Sequence, residues 1–280
     1  MKRKRITVRQ IVCNIKRLCN DANYYLPHDV AGLLGKACEQ EVSPQGKEIL
    51  KNILDNADIA LGGRFPLCQD CGTAVVFVEL GQNVSIKGGN LIDAINQGVA
   101  KGYKEGCLRK SICHPLTRKN TGDNTPAVIH IDIVHGNNLK MVVMPKGGGA
   151  ENMAKLTMLK PSDGKESIAN FVVKSVSDAG SNPCPPIIVG VGIGGGTAER
   201  AMFLAKRALL RTTVNSDKEI AEFEKELLEK VNALGIGSQG FGGSVTALVV
   251  YVEMEPCDIA SLPVAVNLQC HSARYAEAVL

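Results

Sequence analysis

Three of the ten cysteines in this chain stand where cysteines seldom serve as packing. Cys68 lies in Pro66-Leu67-Cys68-Gln69-Asp70, Cys184 in Asn182-Pro183-Cys184-Pro185-Pro186, and Cys270 in Asn267-Leu268-Gln269-Cys270-His271. Each falls on a predicted turn or element end, flanked by Pro, Asp, Asn, Gln or His rather than by apolar residues. Proline fixes φ and removes a backbone donor, which suits a loop that must aim a thiolate at a ligand. Three thiolates from distant loops fit an iron–sulfur cluster with one iron lacking a protein ligand. Cys13, Cys19, Cys38 and Cys107 instead follow helical patterns and read as small packing residues. Cys113, in a polar turn before His114, and Cys257, in a predicted loop, fit neither group.

The compartment matters to that reading. The basic stretch Lys2 to Arg5 runs into a segment interrupted throughout by charges, so no secretory apolar region forms. No apolar run approaches the roughly 18 residues of a membrane span. The expected location is cytoplasmic, where disulfides are rare and cysteines are core filler or metal ligands. Net charge is +4, but the basic residues are scattered and Trp is absent, which argues against a nucleic-acid surface. The N-terminal basic cluster reads as a solvated tail.

Two motifs compete with the cluster reading. Cys68-x-x-Cys71 resembles a redox pair, yet such pairs sit at helix N-termini, and here the motif precedes a strand. A zinc ribbon needs a second C-x-x-C, and none exists. Gly190-Val191-Gly192-Ile193-Gly194-Gly195 fits a dinucleotide fingerprint between a strand and a helix. The second strand with an acidic end that should follow is replaced by a charged helix. The glycines then read as a tight turn or as a helix-terminal cradle for an anion or cluster sulfur. Spacing alone leaves these alternatives open.

Periodicity predicts helices through the first sixty residues, with Ile6, Ile11, Ile15 and Leu18 on one face. A second helix is expected from Pro27 to Cys38. A third has Ser43 as N-cap, Pro44 at its first position and Gly62-Gly63 at its end. A β-rich run follows at Ala74–Leu80, then a helix opened by Asn90. Ala127–Val134 and Leu139–Pro145 read as a hairpin around His135-Gly136-Asn137-Asn138. Helices are predicted near 165–179, 197–211 and 216–234, strands at 187–192, 245–254 and 264–268, and a short helix at the C-terminus. The expected fold is α+β, a mixed β-sheet core with surrounding helices and a helical N-terminal layer. The expected organisation is one domain, 1–280, with the layer at 1–62 and the core at 63–280.

PLCQDCGTAVVFVELGQ resembles the class I fumarase signature P-x-C-Q-D-T-G-T. LRKSICHPLTRKNTGDNTPAVIH, KGGGAEN, SNPCPPIIVGVGIGGGTAERA, GIGSQGFGGSVTAL and LPVAVNLQCHSAR resemble successive blocks of the same family in consistent order, from Leu61 to the C-terminus. That family holds iron–sulfur fumarate hydratases and L-tartrate dehydratases, built as one long chain or as α and β subunits. The resemblance implies an α subunit in which Cys68, Cys184 and Cys270 hold a [4Fe–4S] cluster. It implies that Gln69, Asp70, Arg109 and the Gly148 region contact a small dicarboxylic acid or assist proton transfer, with Asp70 and Arg109 catalytic. It further implies a separate β subunit and an α2β2 assembly. Two positions depart from the family pattern: Cys71 stands where Thr is usual, and Asp258 where many members carry His. His271, beside Cys270, is a weaker candidate for support of that ligand.

Overall fold

Thr7 accepts the N–H of Gln10 while the Gln10 side chain accepts the N–H of Thr7, a reciprocal cap that starts the first helix. The computed structural model describes residues 3–63 and 65–280. In chain order these form β1 (Lys4–Thr7), α1 (Val8–Tyr24), α2 (His28–Gln40), α3 (Pro44–Leu61), β2 (Thr73–Gly81), β3 (Val84–Lys87), α4 (Leu91–Glu105), β4 (Val128–Val134) and β5 (Leu139–Lys146). There follow α5 (Gly148–Glu151), β6 (Lys155–Leu159), α6 (Gly164–Ala179), β7 (Ile187–Gly194), α7 (Ala198–Ala208), α8 (Lys218–Asn232), β8 (Ala247–Glu255), β9 (Leu262–Gln269) and β10 (Ala276–Val279). The fold is α+β with mixed sheets. No described helix is long and apolar enough to cross a membrane.

The residues group into two compact units. The first comprises residues 1–27, 56–148 and 274–280, and the second 28–55 and 149–273. The helices before residue 62 therefore divide between the units.

In the first unit a four-stranded sheet runs β10-β5-β2-β4. Its core joins Val76, Val78, Met141 and Val143 to Ile11, Ile15, Leu18, Ile95 and Val99. Helices α1 and α4 approach closely because α4 carries glycines where they cross. A Cβ on Gly98 would meet Ile15 Cβ at 2.6 Å, and one on Gly102 would meet Cys19 Cβ at 2.8 Å. Cys19 is core filler as expected, with burial pushing its thiol up to about 12.

Three expectations fail in this unit. β4 and β5 are not a hairpin, because β2 lies between them, parallel to β4 and antiparallel to β5. Their connection instead wraps the end of β2: Gly81 and Asn83 donate to the carbonyls of Asn138 and Gly136, both at 2.9 Å. A Cβ on Gly81 would lie 2.8 Å from each of those oxygens, so only glycine allows the passage. The C-terminus is a strand rather than a helix. Ala276–Val279 gains ladder bonds to the edge that β5 offers, with Lys140 paired to Glu277 at 3.0 Å. Lys4 and Arg5 belong to β1, paired with β3, rather than to a solvated tail, and Lys2 lies outside the described residues.

The second unit is a three-layer stack on a sheet ordered β6-β9-β7-β8. Ile187, Val189, Val191 and Ile193 face α6 and α8. Gly190 and Gly192 alternate onto the other face, where their Cβ atoms would strike the backbone carbonyls of Ala205 and Ala201 in α7. The glycine motif thus serves close strand–helix packing. It lies at the C-terminal end of β7, opposite the Cys184 end, so it is no cradle for that thiolate. Glu255, paired to Arg200, accepts the N–H of Gly195 there through its carbonyl.

Both sheets repeat one local plan. A central strand (β2 or β7) is followed by a parallel neighbour (β4 or β8), and an antiparallel strand (β5 or β9) returns on the other side. The cysteine turns occupy matching positions: Cys68 precedes β2, and Cys184 precedes β7.

Candidate functional site

The Cys68 loop is fixed from behind. Leu67 is buried, its N–H donates to Asn23 O at 2.8 Å, and its carbonyl accepts from Asn56 Nδ2 at 3.0 Å. At the other end Tyr103 Oη donates to the carbonyls of Cys71 or Gly72, at 2.8 and 3.0 Å, and Asn124 Nδ2 adds a bond to Gly72 at 3.1 Å. Between these anchors Cys68 is half-buried and its Sγ accepts the Asp70 N–H at 3.4 Å. Gln69 is exposed.

Asp70 ties three segments together. Its Oδ1 accepts from Gly72 N at 3.1 Å, its Oδ2 accepts from Gly148 N at 2.8 Å, and its carbonyl accepts from Arg274 Nη2. Gly148 therefore gives its own N–H to Asp70. Arg109 is brought alongside by its backbone: its N–H donates to Cys71 Sγ at 3.2 Å. The Arg109 residue is exposed, and it makes no ion pair with any described residue. Its guanidinium fork is left open.

Cys71 is 1% exposed within the first unit's core. Burial pushes its thiol up, against the opposing backbone N–H of Arg109. A thiol so placed is a packing group and an acceptor, not the reactive half of a redox pair. The Thr-to-Cys departure thus falls on a structural position.

In the second unit Cys184 and Cys270 share one end of the sheet, before β7 and after β9, where Ile188 pairs with Gln269. Cys184 is exposed and left-handed, with φ +55°. Its carbonyl accepts the N–H of His271 at 3.2 Å. The next carbonyl, of Pro185, accepts both the backbone N–H of Gln239 at 2.8 Å and its Nε2 at 2.7 Å. Gln239 Nε2 also lies 3.0 Å from His271 Nδ1, so His271 supports the Cys184 turn. Cys270 Sγ is 3.3 Å from Ser272 Oγ. Asp258 sits in the β8–β9 loop and accepts the N–H of Ala260 at 2.8 Å.

All ten cysteines are free thiols. Within either unit, no three described His, Cys, Asp or Glu side chains converge as a metal-ion site. The three-thiol set nevertheless fits an iron–sulfur group by donor chemistry: each is a soft sulfur on an exposed or half-buried residue, carried on a turn pinned by proline or backbone bonds.

Sequence reasoning missed Gln239, Arg274 and Lys146. Gln239 and Arg274 stand within the GIGSQGFGG and CHSAR blocks but carry no spacing signal of their own. Lys146 ends β5 beside the Gly147-Gly148 turn and is 2% exposed, an unusual burial for lysine.

The fumarate hydratase (Fumerase) family model matches residues 12–279. The chain belongs to this family. It is similar to a Methanocaldococcus jannaschii protein provisionally named L(+)-tartrate dehydratase subunit alpha, 47% identical over 94% of each chain. It is also similar to the L(+)-tartrate dehydratase subunit alpha of Escherichia coli K12, 32% identical over 89% of this chain and 84% of that one. Membership makes the protein a hydro-lyase of the class I fumarate hydratase type.

Proposed function

We infer that this chain is the α subunit of a [4Fe–4S]-dependent hydro-lyase, completed by a β subunit and acting on a four-carbon dicarboxylate. The relatives' names as alpha subunits support the β partner. By resemblance the assembly is α2β2. The observation that carries the site reading is the meeting of three distant stretches. Residues 68–70, Arg109 and Gly148 are joined by the Asp70–Gly148 and Arg109–Cys71 bonds.

Removing water from a 2-hydroxy acid breaks a C–O and a C–H bond; the proton goes to a base and the oxygen leaves as water. Cys68, Cys184 and Cys270 would hold the cluster, whose open iron supplies Lewis-acid help to the departing oxygen. Arg109 binds a substrate carboxylate through its two-pronged fork. Gln69, exposed beside Cys68, offers an amide to the substrate. Asp70 takes or relays the proton, with each carboxylate oxygen keeping a lone pair beyond its backbone bond. Gly148 fixes Asp70 in place.

Two substrates have support. The family description favours reversible hydration of fumarate to (S)-malate. The relatives' names favour dehydration of L(+)-tartrate. The two differ by a hydroxyl, which a hydrogen-bonding site can discriminate strongly. The test is anaerobic reconstitution of the α–β complex with iron and sulfide, followed by assays with fumarate, malate and tartrate. A visible absorbance that bleaches in air and turnover of one of these acids are expected. A colourless protein without iron would overturn the cluster assignment.

A further inference from the structure

Three neighbouring strands of the first unit, β10, β5 and β2, bring their ends to one place. β10 pairs antiparallel with β5, Ala276 opposite Val143, so Arg274 stands level with Pro145 near the end of β5. β2 begins on the other side of β5, with Thr73 opposite Lys146, which puts Asp70 to Gly72 at that same end. The Arg274 side chain therefore crosses the end of β5, roughly 10 Å from one flanking strand to the other, for its Nη2 to reach the Asp70 carbonyl.

Arg274 is 2% exposed, and a buried cation is costly unless its charge and donors are used. Its charge acts on the groups around it. Burial pushes the Cys71 thiol and the Tyr103 hydroxyl up, and Arg274 opposes both shifts. The successive carbonyls of Asp70, Cys71 and Gly72 accept from three buried side chains, Arg274, Tyr103 and Asn124 respectively. Only the donor to Asp70 is charged, and charge-assisted bonds are the stronger kind. That bond falls on the residue whose carboxylate also accepts from Gly72 and Gly148.

We propose that Arg274 is the positioning residue of Asp70. From the foot of β10 it fixes the Asp70 main chain, so that the carboxylate spans the N–H groups of Gly72 and Gly148 in one orientation towards the substrate proton. Arg109, exposed, meets the substrate; Arg274, buried, acts only through Asp70. The proposal rests on the reading of Asp70 as the group that takes or relays the proton.

The test compares Arg274→Gln and Arg274→Lys. In the full chain before iron is loaded, amide hydrogen exchange is read at Gly72 and Gly148. Both amides should exchange about tenfold faster in Arg274→Gln and be partly restored in Arg274→Lys, while α4 and β4 keep their wild-type rates. In the reconstituted α–β complex, kcat should fall roughly 100-fold in Arg274→Gln with KM within about twofold of wild type, as for a reacting group displaced by about 1 Å. Arg274→Lys should recover part of that loss. In an Asp70→Asn background, Arg274→Gln should lower kcat no further. Unchanged exchange at Gly72 and Gly148 would overturn the proposal, as would faster exchange throughout the unit, a loss confined to KM, or an additive loss beside Asp70→Asn. Wild-type kcat in Asp70→Asn, with faster exchange in Arg274→Gln, would instead overturn the proton reading and uphold Arg274 as the clamp on Asp70.

Discussion

Glu41 accepts the backbone N–H of Ser244 at 2.8 Å across 203 positions of sequence, and the Ser244 hydroxyl at 3.0 Å. Val42, Ser43 and Val245 donate to the same carboxylate, and the Glu41 residue is 1% exposed. Gly243 and Gly46 leave it room, since a Cβ on either would collide with the side chain. The loop so fastened is the one that carries Gln239 to the Cys184 turn.

Glu41→Ala should therefore strand several buried N–H groups and destabilise the second unit by about 2–3 kcal/mol. Burial alone would raise the Glu41 pKa, but the donors from Ser244, Ser43 and Val245 together hold it below its ordinary 4.5. A lowered folded-state pKa contributes stability that is complete above 4.5 and is lost as pH falls through the folded value. Thermal melts should show Glu41→Gln below wild type at neutral pH, with the gap narrowing below pH 4.5. A constant gap down to strong acid would contradict the carboxylate's role.

Much of this was legible beforehand, and the failures share a cause. Ser43 accepts the N–H of Gly46 at 3.2 Å at the start of α3, and Asn90 caps α4, because such signals are local. The three cysteine turns stood out by their flanking residues. The hairpin failed because nothing in residues 127–145 reveals that β2, from fifty residues earlier, inserts between its arms. The C-terminal strand was hidden for the same reason: Ala276–Val279 is a strand only because β5 offers an edge. Glu41 and Gln239 act through partners about 50 to 200 residues away, which periodicity cannot report.

Gln239→Ala removes a side-chain bond to the Pro185 carbonyl and the contact with His271, while touching no sulfur. Its effect should fall on how well Cys184 is presented. Iron retained after anaerobic reconstitution and desalting should drop several-fold, with the melting temperature of the unloaded chain within a few degrees of wild type. Equal iron retention would show that the turn holds itself.

The two cysteines of Cys68-x-x-Cys71 should part company on substitution. Cys71→Ser keeps a small acceptor for the Arg109 N–H and costs about 1 kcal/mol of packing, so iron content should stay near wild type. Cys68→Ser, like Cys184→Ser and Cys270→Ser, should abolish the visible absorbance. Loss of iron from Cys71→Ser with retention in Cys184→Ser would transfer the ligand role to the redox-like pair.

Arg109 offers the sharpest kinetic test, because its backbone is tied down while its guanidinium meets no described carboxylate. If the fork binds a substrate carboxylate, Arg109→Lys keeps the charge but loses one of two parallel bonds. The value of kcat/KM should then fall roughly 10- to 100-fold, matching a lost charge-assisted hydrogen bond of about 1.5–3 kcal/mol. Arg109→Ala should fall further, and guanidinium added to the Ala variant should restore part of the loss. Because the Arg109 N–H, not its side chain, bonds Cys71, neither substitution should alter iron content or melting temperature. A Lys variant with wild-type kcat/KM would reduce Arg109 to a general positive charge at the site.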